Sequence, residues 1–337
     1  MAKKRILTGD TPTGKLHIGH YVGTLENRVK LQNEYETFIL SADTHALSTL
    51  SKTPTVIGEH TFQNVLDNLA VGLDPKNVVF WTESGVPELY ELAAIMSMYV
   101  AHNRALRNPT VKDEIKMKGL GDHFSLGFVN YPIFQAADIL GVKAHLVPVG
   151  VDQVAHLEQS REIARDLNAI TETELFPIPE VLVGRVGKLV GTDGNPKMGK
   201  SLGNTIYLGE SKEEVQKKVM GMYTDPMRIR ATDPGTVEGN PVFIYLDLFG
   251  TDSDASAVAD FKARYVEGKV GDIEVKQYLA GVMERFLAPI RERREYFEAR
   301  PDVVRQIMID GTLRAREENA LTLKELRTLL NLSVFVG

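Results

Sequence analysis

Short apolar segments alternate with longer segments of helical periodicity through the first half of the chain. The apolar segments predict strands at residues 5–8, 37–41, 78–81 and 145–150. The helical segments lie at residues 17–33, 54–73 and 89–100, and another begins at Asp152. This alternation predicts an α/β fold with a doubly wound parallel sheet, in which ligands bind at the carboxyl ends of the strands.

The pattern changes after about residue 205. Glycine is frequent between residues 184 and 209, and the rest of the chain is mostly helical, with a long helical pair at 260–297 and a last helix at 315–330. We therefore expect two domains. Residues 1–205 form the sheet domain, and residues 206–337 form a mainly α-helical domain whose last helix is a candidate to pack back on the first.

Composition excludes some classes of protein. The 337-residue chain has no cysteine, which excludes disulfides and thiolate metal sites and makes a reducing cytoplasm the expected location. Because it has neither a long apolar segment nor a basic leader with an apolar core, we expect no membrane span and no secretory signal. The formal net charge of -6 indicates that any RNA must bind through local basic patches.

The first candidate motif is His17-Ile18-Gly19-His20, which follows a strand and a turn that contains glycine and proline. It is therefore expected in the first turn of a helix, where unpaired amides and the helix dipole favour anions. Gly19 leaves room for a flat ring or a phosphate, and the two imidazoles can donate hydrogen bonds to a phosphoryl group. The alternatives are two surface histidines or a metal pair, and the second lacks a further ligand nearby in the sequence.

The second candidate motif lies at residues 194–201, Gly-Asn-Pro-Lys-Met-Gly-Lys-Ser. It matches the pattern of a nucleotide-binding phosphate loop. That loop requires a buried strand before it and a helix after it, whereas residues 202–206 are poor helix formers, so a phosphate-loop NTPase is disfavoured. The other interpretation is a mobile loop in which Lys197 and Lys200 close over a triphosphate. Taken alone, the motif is better explained as a solvated surface loop.

Together the two motifs resemble the paired signatures of class I aminoacyl-tRNA synthetases. Residues 12–20 match the first signature in full. The second departs from the usual Lys-Met-Ser-Lys-Ser, because Gly199 replaces the first serine; both lysines remain, so we expect activity to survive with altered loop closure. The resemblance implies a Rossmann-like catalytic domain at residues 1–205, with a mobile lysine loop at about 192–203, and an anticodon-binding role for residues 206–337.

The stretch between the motifs is similar to the amino-acid pocket of tryptophanyl-tRNA synthetases. The similarity lies in residues 131–140, Tyr-Pro-Ile-Phe-Gln-Ala-Ala-Asp-Ile-Leu, and 147–156, Val-Pro-Val-Gly-Val-Asp-Gln-Val-Ala-His, and it continues through residues 224–249. On this resemblance, Asp138 accepts a hydrogen bond from an indole N–H, and a buried acceptor rejects rings without a donor. A surface carboxylate is the alternative, but it does not explain an aspartate inside an apolar segment.

Two positions depart from the family pattern. Leu7 stands where phenylalanine often packs on the indole, and Gln135 stands where methionine is frequent. Tyr131, Gln135 and Asp138 at their spacing also resemble tyrosyl-tRNA synthetases, which makes tyrosine the alternative substrate, although the segment from Val147 favours tryptophan. Because leucine is smaller than phenylalanine, we expect a pocket that tolerates substituted indoles.

The resemblance implies a role for each matched residue. The expected catalytic residues are His17, His20, Lys197 and Lys200. The expected ATP-binding residues are Thr11, Pro12, Thr13, Gly19, His20, Gly150, Val151, Asp152, Leu189, Lys197, Met198, Gly199, Lys200 and Ser201. The expected tryptophan-binding residues are Leu7, His45, Tyr131, Gln135, Asp138, Val147, Val149 and Gln153. The expected partners are L-tryptophan, ATP with Mg²⁺ held by phosphate oxygens, tRNA(Trp) and a second copy of the chain, with no DNA or membrane partner.

Two basic clusters are candidates for tRNA binding. One comprises Arg104, Arg107, Lys112, Lys116 and Lys118, and the other comprises Arg285, Arg291, Arg293 and Arg294. A solvated helix face balanced by nearby glutamates is the alternative interpretation of the second. A synthetase-like protein that binds tryptophan or RNA without charging tRNA is a further alternative, which the intact histidines and lysines of the two motifs disfavour.

Overall fold

Five parallel strands form a single sheet in the order β3-β2-β1-β4-β5. The computed structural model describes residues 3–117, 119, 121, 123–184 and 187–332. The strands are β1 Arg5–Asp10, β2 Glu36–Ser41, β3 Val78–Thr82, β4 Leu146–Val149 and β5 Glu180–Val183. The chain reverses its direction of strand addition between β3 and β4, so the predicted doubly wound parallel sheet is confirmed.

The central strands form where the sequence is continuously apolar. In β2, the five residues after Glu36 are all buried, as expected for a strand covered on both faces. Strand β5 was not predicted, although three of its four residues, Val181, Leu182 and Val183, are apolar. It is a short edge strand that pairs with β4 and is exposed at both ends.

The helices follow in chain order. They are α1 Ile18–His20, α2 Glu26–Leu31, α3 Leu47–Leu50, α4 Ile57–Ala70, α5 Glu88–Ser97, α6 His102–Leu106, α7 Pro109–Met117, α8 Leu126–Gly141, α9 Val154–Thr171, α10 Lys212–Met220, α11 Pro241–Phe249, α12 Ala255–Val266, α13 Asp272–Glu298 and α14 Pro301–Leu329. A π-helical turn at Tyr21–Leu25 joins α1 to α2. Within the described residues, no helix is long and apolar enough to cross a membrane.

The chain divides into two compact units. The first unit comprises Met1–Gly14, Thr24–Gly187 and Arg300–Gly337, and contains the whole sheet. Its main core joins Leu7, Phe38, Trp81 and Val147 of the sheet to apolar side chains of α5, α8, α9 and α14. The second unit comprises Lys15–Gly23 and Lys188–Ala299, and its helices α10 to α13 pack on one another.

The last helix, α14, belongs to the first unit and packs along the edge strand β3. The approach is close, because a Cβ added to Gly311 would lie 1.9 Å from the carbonyl oxygen of Phe80. Further along the helix, the Thr322 hydroxyl donates to the carbonyl oxygen of Gly141 at 2.8 Å. The helix therefore covers an edge of the sheet that would otherwise be open to pairing with another chain.

Candidate active site

The turn at residues 11–14 begins at the carboxyl end of β1. The amide of Thr13 donates to the carbonyl oxygen of Thr11 at 2.8 Å, and Pro12 is buried beneath the turn. Gly14 has a φ of +104°, a conformation that residues with a side chain rarely adopt. The predicted ATP-binding residues Thr11 to Thr13 are thus held on a strand end, where ligands of such sheets bind.

A buried ion pair supports this turn. The Arg28 guanidinium, whose side chain is fully buried, donates to both carboxylate oxygens of Asp10, at 2.6 and 2.9 Å. It also donates to the side chains of Asn68 and Thr24 and to the carbonyl oxygen of Gly9. The pair connects the end of β1 to α2. The chain segment between these two points carries both the turn and the histidine motif. The sequence analysis did not identify either partner.

One face of α8 carries Tyr131, Gln135 and Asp138, at helical spacings of four and three residues. The imidazole of His45 lies 4.8 Å from the ring of Tyr131, centroid to centroid. The Gln135 amide donates to Gln153 Oε1 at 3.4 Å, although these two residues come from different elements. The first unit therefore brings five of the predicted tryptophan-binding residues to the same region.

A buried histidine fixes the hydroxyl of Tyr131. Asn108 Oδ1 accepts from the Thr110 amide at 3.1 Å, which turns its Nδ2 towards His156 Nδ1 at 3.0 Å. Because Nδ1 must then accept, the proton of the ring lies on Nε2, which donates to the Tyr131 hydroxyl at 2.9 Å. Burial lowers the pKa of His156 to about 4, so the ring is neutral at pH 7. The Tyr131 oxygen accepts from His156, and its own proton can therefore be donated elsewhere.

Two carboxyl groups meet inside the same region. Asp138 on α8 and Glu83, the residue that follows β3, are both buried and share a side-chain hydrogen bond. Burial raises the pKa of both groups, and the negative charge of Asp43 raises both further. Glu83 also helps to raise the pKa of Asp138 well above its usual range, while hydrogen bonds from the His45 amide and from Asp138 leave that of Glu83 at about 7. One Glu83 oxygen accepts the backbone amide of His45 at 2.9 Å. Asp138 was predicted as a site residue from the sequence and Glu83 was not. An acid directly after a buried strand is nevertheless a signal of a site residue that the sequence contains.

The remaining predicted residues of the first unit lie on or after the sheet. Leu7 and Val147 are buried, and Val149 is half-buried against the same core. After β4, the exposed Asp152 carboxylate accepts from the Gln153 amide at 3.0 Å. A Cβ added to Gly150 would lie 2.6 Å from Asp152 Oδ1, so this turn needs glycine at its start. Gly150, Val151 and Asp152 therefore form a turn at a strand end, as residues 11–14 do.

The histidine motif lies in the second unit and begins α1, as predicted. His17 is the N-cap: its Nδ1 accepts the Gly19 amide at 3.1 Å, while His20 Nδ1 accepts the His17 amide at 3.1 Å. These contacts place the ring proton of His17 on Nε2. Burial, with the charges of His20 and Lys200, lowers the pKa of His17 to about 2, so this imidazole is a neutral N–H donor.

A buried asparagine organises the lysine loop. Asn204 Oδ1 accepts the Gly199 amide at 2.9 Å, and its Nδ2 donates to Asp193 Oδ1 at 2.9 Å and to the Lys197 carbonyl oxygen at 3.2 Å. The side chain is 2% exposed and bonds to three different points of the loop. The loop predicted from the sequence, at about residues 192–203, ends one residue before this asparagine.

The two motifs lie side by side within the second unit. A Cβ added to Gly19 would be 2.9 Å from the His17 ring and 3.4 Å from Met198 Sδ, so glycine lets the lysine loop approach. Met198 is held in turn, because its amide donates to the buried Leu189 at 2.8 Å. The loop continues into a three-residue 3-10 helix at Lys200–Leu202, not the longer helix that a phosphate loop requires.

The polar side chains of the lysine loop differ in their exposure. Lys197 and Ser201 are exposed and Lys200 is half-buried. Gly199 is extended, with a φ of -160°, and a Cβ there would meet only Leu202, at 3.7 Å. The structure therefore does not require glycine at the position where the family signature has serine. No group of three histidine or acidic side chains that could hold a metal ion occurs in the described ranges.

The predicted basic clusters separate into structural and exposed residues. In the second cluster, Arg294 is buried against Glu298, and Arg291 bonds to Glu284 and to the carbonyl oxygen of Glu210. Arg285 and Arg293 are exposed. In the first cluster Arg104 pairs with Glu162; Arg107, Lys112 and Lys116 are exposed, and Lys118 lies outside the described residues.

A family model described as tRNA synthetases class I (W and Y) matches residues 2–288. The chain belongs to this family. It is 48% identical over 340 residues to the tryptophan–tRNA ligase of Streptococcus pneumoniae, a match that covers 99% of this chain and all of the relative. It is 47% identical to the tryptophan–tRNA ligase of Clostridium longisporum, with 99% of both chains covered.

The same family accounts for the fold of this synthetase. The tryptophanyl-tRNA synthetase of Campylobacter jejuni, determined in complex with ADP and tryptophan, superposes with a TM-score of 0.84 at 31% identity. The match covers 97% of this chain and 99% of that one. The predicted resemblance to class I synthetases is therefore confirmed, and so is the Rossmann-like sheet that it implied.

Proposed function

We propose that this synthetase is a tryptophan–tRNA ligase. It activates L-tryptophan with ATP to form tryptophanyl-adenylate and pyrophosphate, and then transfers the tryptophanyl group to the 3'-terminal adenosine of tRNA(Trp). The observation that carries the proposal is the buried carboxyl group of Asp138, on the same face of α8 as Tyr131 and Gln135, because such a group selects a ring that presents a hydrogen-bond donor. The full-length relatives named above are tryptophan–tRNA ligases, which favours tryptophan over tyrosine.

The first unit supplies the amino-acid site in this proposal. Asp138 accepts the indole N–H, and Leu7, Val147 and Val149 contact the ring. The Tyr131 hydroxyl, whose oxygen already accepts from His156, and the Gln153 amide hold the polar end of the amino acid. Gln135 and His45 complete the wall. Positioning of this kind lowers the barrier because the reacting carboxylate is held in one orientation.

The ATP-binding roles are proposed residue by residue from the resemblance. Thr11, Pro12 and Thr13 and the turn at Gly150, Val151 and Asp152 bind ATP, and Leu189 contacts the adenine through its backbone. His17 and His20 donate to the triphosphate, and Gly19 leaves room for it. Lys197, Met198, Gly199, Lys200 and Ser201 form the loop that holds the leaving pyrophosphate. Mg²⁺ enters with ATP as the counter-ion of its phosphate oxygens.

Activation is a single displacement in this scheme. The tryptophan carboxylate attacks the α-phosphorus, a new P–O bond forms, and the bond to the β-phosphate oxygen breaks as pyrophosphate leaves. The neutral His17 donates its Nε2 proton in a hydrogen bond and stabilises charge that builds on the phosphoryl oxygens, without transferring the proton. A ribose hydroxyl of tRNA then attacks the carbonyl carbon, and AMP leaves. No covalent enzyme intermediate is needed.

The remaining roles are proposed from the resemblance. Residues 1–205 carry catalysis, and residues 206–337 carry the anticodon-binding surface. Arg285, which bonds to the buried Asp254, and Arg293 are the remaining basic candidates of α13, because their side chains are more exposed than those of Arg291 and Arg294. We further propose that the enzyme is a cytoplasmic homodimer. Sedimentation at micromolar concentration, with a mass of twice 37.4 kDa as the expected result, tests the dimer.

Amino-acid-dependent ATP–pyrophosphate exchange tests the function. We expect exchange with tryptophan and at least about 100-fold less with tyrosine, because the smaller phenol leaves buried surface unfilled and places its donor differently from the indole N–H. Exchange with tyrosine at the higher rate would make the enzyme a tyrosine–tRNA ligase. A folded protein that binds tryptophan but supports exchange with neither amino acid would indicate a non-charging role instead.

A further inference from the structure

Glu83 is a buried acid that the proposed mechanism does not use. It is 5% exposed and begins a 3-10 helix at Glu83–Gly85, directly after β3. Glutamate is almost never this buried unless it has a partner. One partner is the backbone amide of His45, at 2.9 Å, and the other is the Asp138 carboxyl group. Glu83 therefore contacts two residues to which the proposed function assigns the tryptophan side chain.

The contact with Asp138 requires a proton. Two carboxylates have no donor between them, so a hydrogen bond joins these side chains only when one of them is protonated. Glu83 already accepts the His45 amide, which favours its ionised form, whereas Asp138 is wholly enclosed and its pKa is raised well above the usual range by burial and by Glu83. Asp138 is therefore the donor and Glu83 the acceptor.

The groups around Glu83 and Asp138 add negative charge to the pair. Among the described neighbours that contact the pair, none is named as a compensating cation. Asp43, after β2, accepts the amides of Thr44 and Ser84 at 3.0 Å and lies close enough to repel both acids. From α5, the Tyr90 hydroxyl faces the same group and bonds to Thr44 at 2.8 Å. From α14, the contact at Gly85 is the uncharged Thr312. Loss of the shared proton would thus leave adjacent carboxylates unscreened.

The protonation state of Asp138 determines which of its atoms can form a hydrogen bond with a ligand. Its hydroxyl is used on Glu83, so its carbonyl oxygen is the acceptor that remains for a ring N–H. An ionised Asp138 would instead be pushed away from Glu83 and would lose its fixed orientation. The geometry of recognition therefore depends on Glu83, which is bound to the His45 backbone on its other side.

We infer that Glu83 is a positioning residue for tryptophan recognition, which holds the protonated Asp138 so that one neutral acceptor oxygen meets the indole N–H. The inference rests on the proposed function and adds to it a second acid and a protonation state. It predicts that tryptophan binding weakens when the pair loses its proton. Because burial and Glu83 raise the pKa of Asp138 well above its usual range, the proton is held at neutral pH and lost as the pH rises through that raised pKa, so the KM for tryptophan should rise on the alkaline side of neutrality.

Amide substitutions separate the two forms of the pair. In Asp138→Asn, the amide group donates to Glu83 while its oxygen remains an acceptor, so it copies the protonated acid and cannot titrate. In Glu83→Gln, the amide oxygen can keep the His45 contact and the NH₂ group can donate to Asp138. Asp138→Ala removes the acceptor altogether. The control is Glu59→Gln, an exposed acid on α4 that bonds only to the neighbouring Gln63 among the contacts described for it.

The KM for tryptophan is measured in ATP–pyrophosphate exchange from pH 6.0 to 8.5, with the KM for ATP as the internal reference. At pH 7, we expect Asp138→Ala to raise the KM for tryptophan by about 10-fold or more, and Asp138→Asn to raise it much less than Asp138→Ala does, because the amide keeps an acceptor oxygen. Towards the alkaline end of this range, we expect a rising KM in wild type and Glu59→Gln, and a flat profile in both amide variants. Melting temperatures identify a variant that is misfolded. Calorimetric titration with tryptophan identifies a variant that still binds tryptophan and is impaired only in ATP use.

The results that overturn the inference are specific. Asp138→Asn as damaged as Asp138→Ala would show that an ionised acceptor is required. A flat wild-type profile, or a Glu83→Gln profile that follows wild type, would show that Glu83 does not control the acceptor. Each of these leaves the proposed function intact, because wild type still activates tryptophan. Absence of tryptophan activation by wild type would contradict both.

Discussion

The hydrogen bonds of Asn204 predict that this residue controls the lysine loop. Asn204→Ala removes the bonds to the Gly199 amide, to Asp193 and to the Lys197 carbonyl oxygen. Each is worth about 0.5–1.5 kcal/mol net, and the 3.2 Å bond belongs at the lower end, so the ordered loop loses about 2–3 kcal/mol. That difference corresponds to a decrease of about 30- to 150-fold in the ratio of ordered to disordered loop.

The assay is tryptophan-dependent ATP–pyrophosphate exchange at saturating tryptophan. We expect kcat to fall by about 10-fold or more, because the lysines act only while the loop is ordered, and the KM for tryptophan to change by less than about 2-fold. The KM for tryptophan is insensitive because the residues assigned to that substrate belong to the first unit.

Asn240→Ala is the matched control. Asn240 is 3% exposed, lies in the same unit and caps α11 by accepting the Val242 amide at 3.0 Å, but makes no contact in the lysine loop. Loss of an N-cap costs about 1 kcal/mol of stability. If Asn240→Ala lowers kcat as much as Asn204→Ala at the same loss of melting temperature, the effect is general destabilisation. A kcat of Asn204→Ala within about 2-fold of wild type would refute the loop argument.

Four further predictions concern other positions. Gly199→Ser should keep the fold and change kcat by less than about 5-fold in exchange assays, because the backbone is extended and a Cβ has room; a collapse of the melting temperature would contradict this. His156→Gln should remove about 1 kcal/mol of the stability that wild type loses in urea unfolding between pH 7.5 and 5.5, since this histidine stays neutral in the folded protein but takes up a proton in the unfolded chain as pH falls below 6.5; an unchanged pH dependence would exclude His156 as the cause. Leu7→Phe should reduce activation of ring-substituted tryptophans more than that of tryptophan, and equal effects on both would show that Leu7 does not set this tolerance. Arg285→Glu should weaken tRNA binding, most strongly at low salt, while pyrophosphate exchange stays unchanged; loss of both activities would indicate misfolding.

The part of the site that the sequence predicts is local. The turn at residues 11–14 and the helix start at His17 follow from neighbouring residue types, since proline, glycine and capping side chains act over a few positions. The face of α8 with Tyr131, Gln135 and Asp138 follows from helical spacing alone. These features require no knowledge of distant contacts.

Contacts between distant residues explain what was missed. Arg28 and Asp10 are 18 positions apart, and nothing in the local pattern shows that a charged residue of α2 is fully buried. The return of α14 to β3 depends on Gly311 meeting Phe80, a contact across most of the chain.

The alternation of strands and helices, the two motifs and the acid on α8 follow from local sequence patterns, because periodicity and turn chemistry are properties of short segments. The chemical state of these groups depends on the tertiary structure. His17 is a neutral donor because folding buries it near Lys200, and Asp138 keeps a proton because folding places Glu83 against it. Burial and neighbouring charge set a pKa, and both arise only when remote parts of the chain pack together.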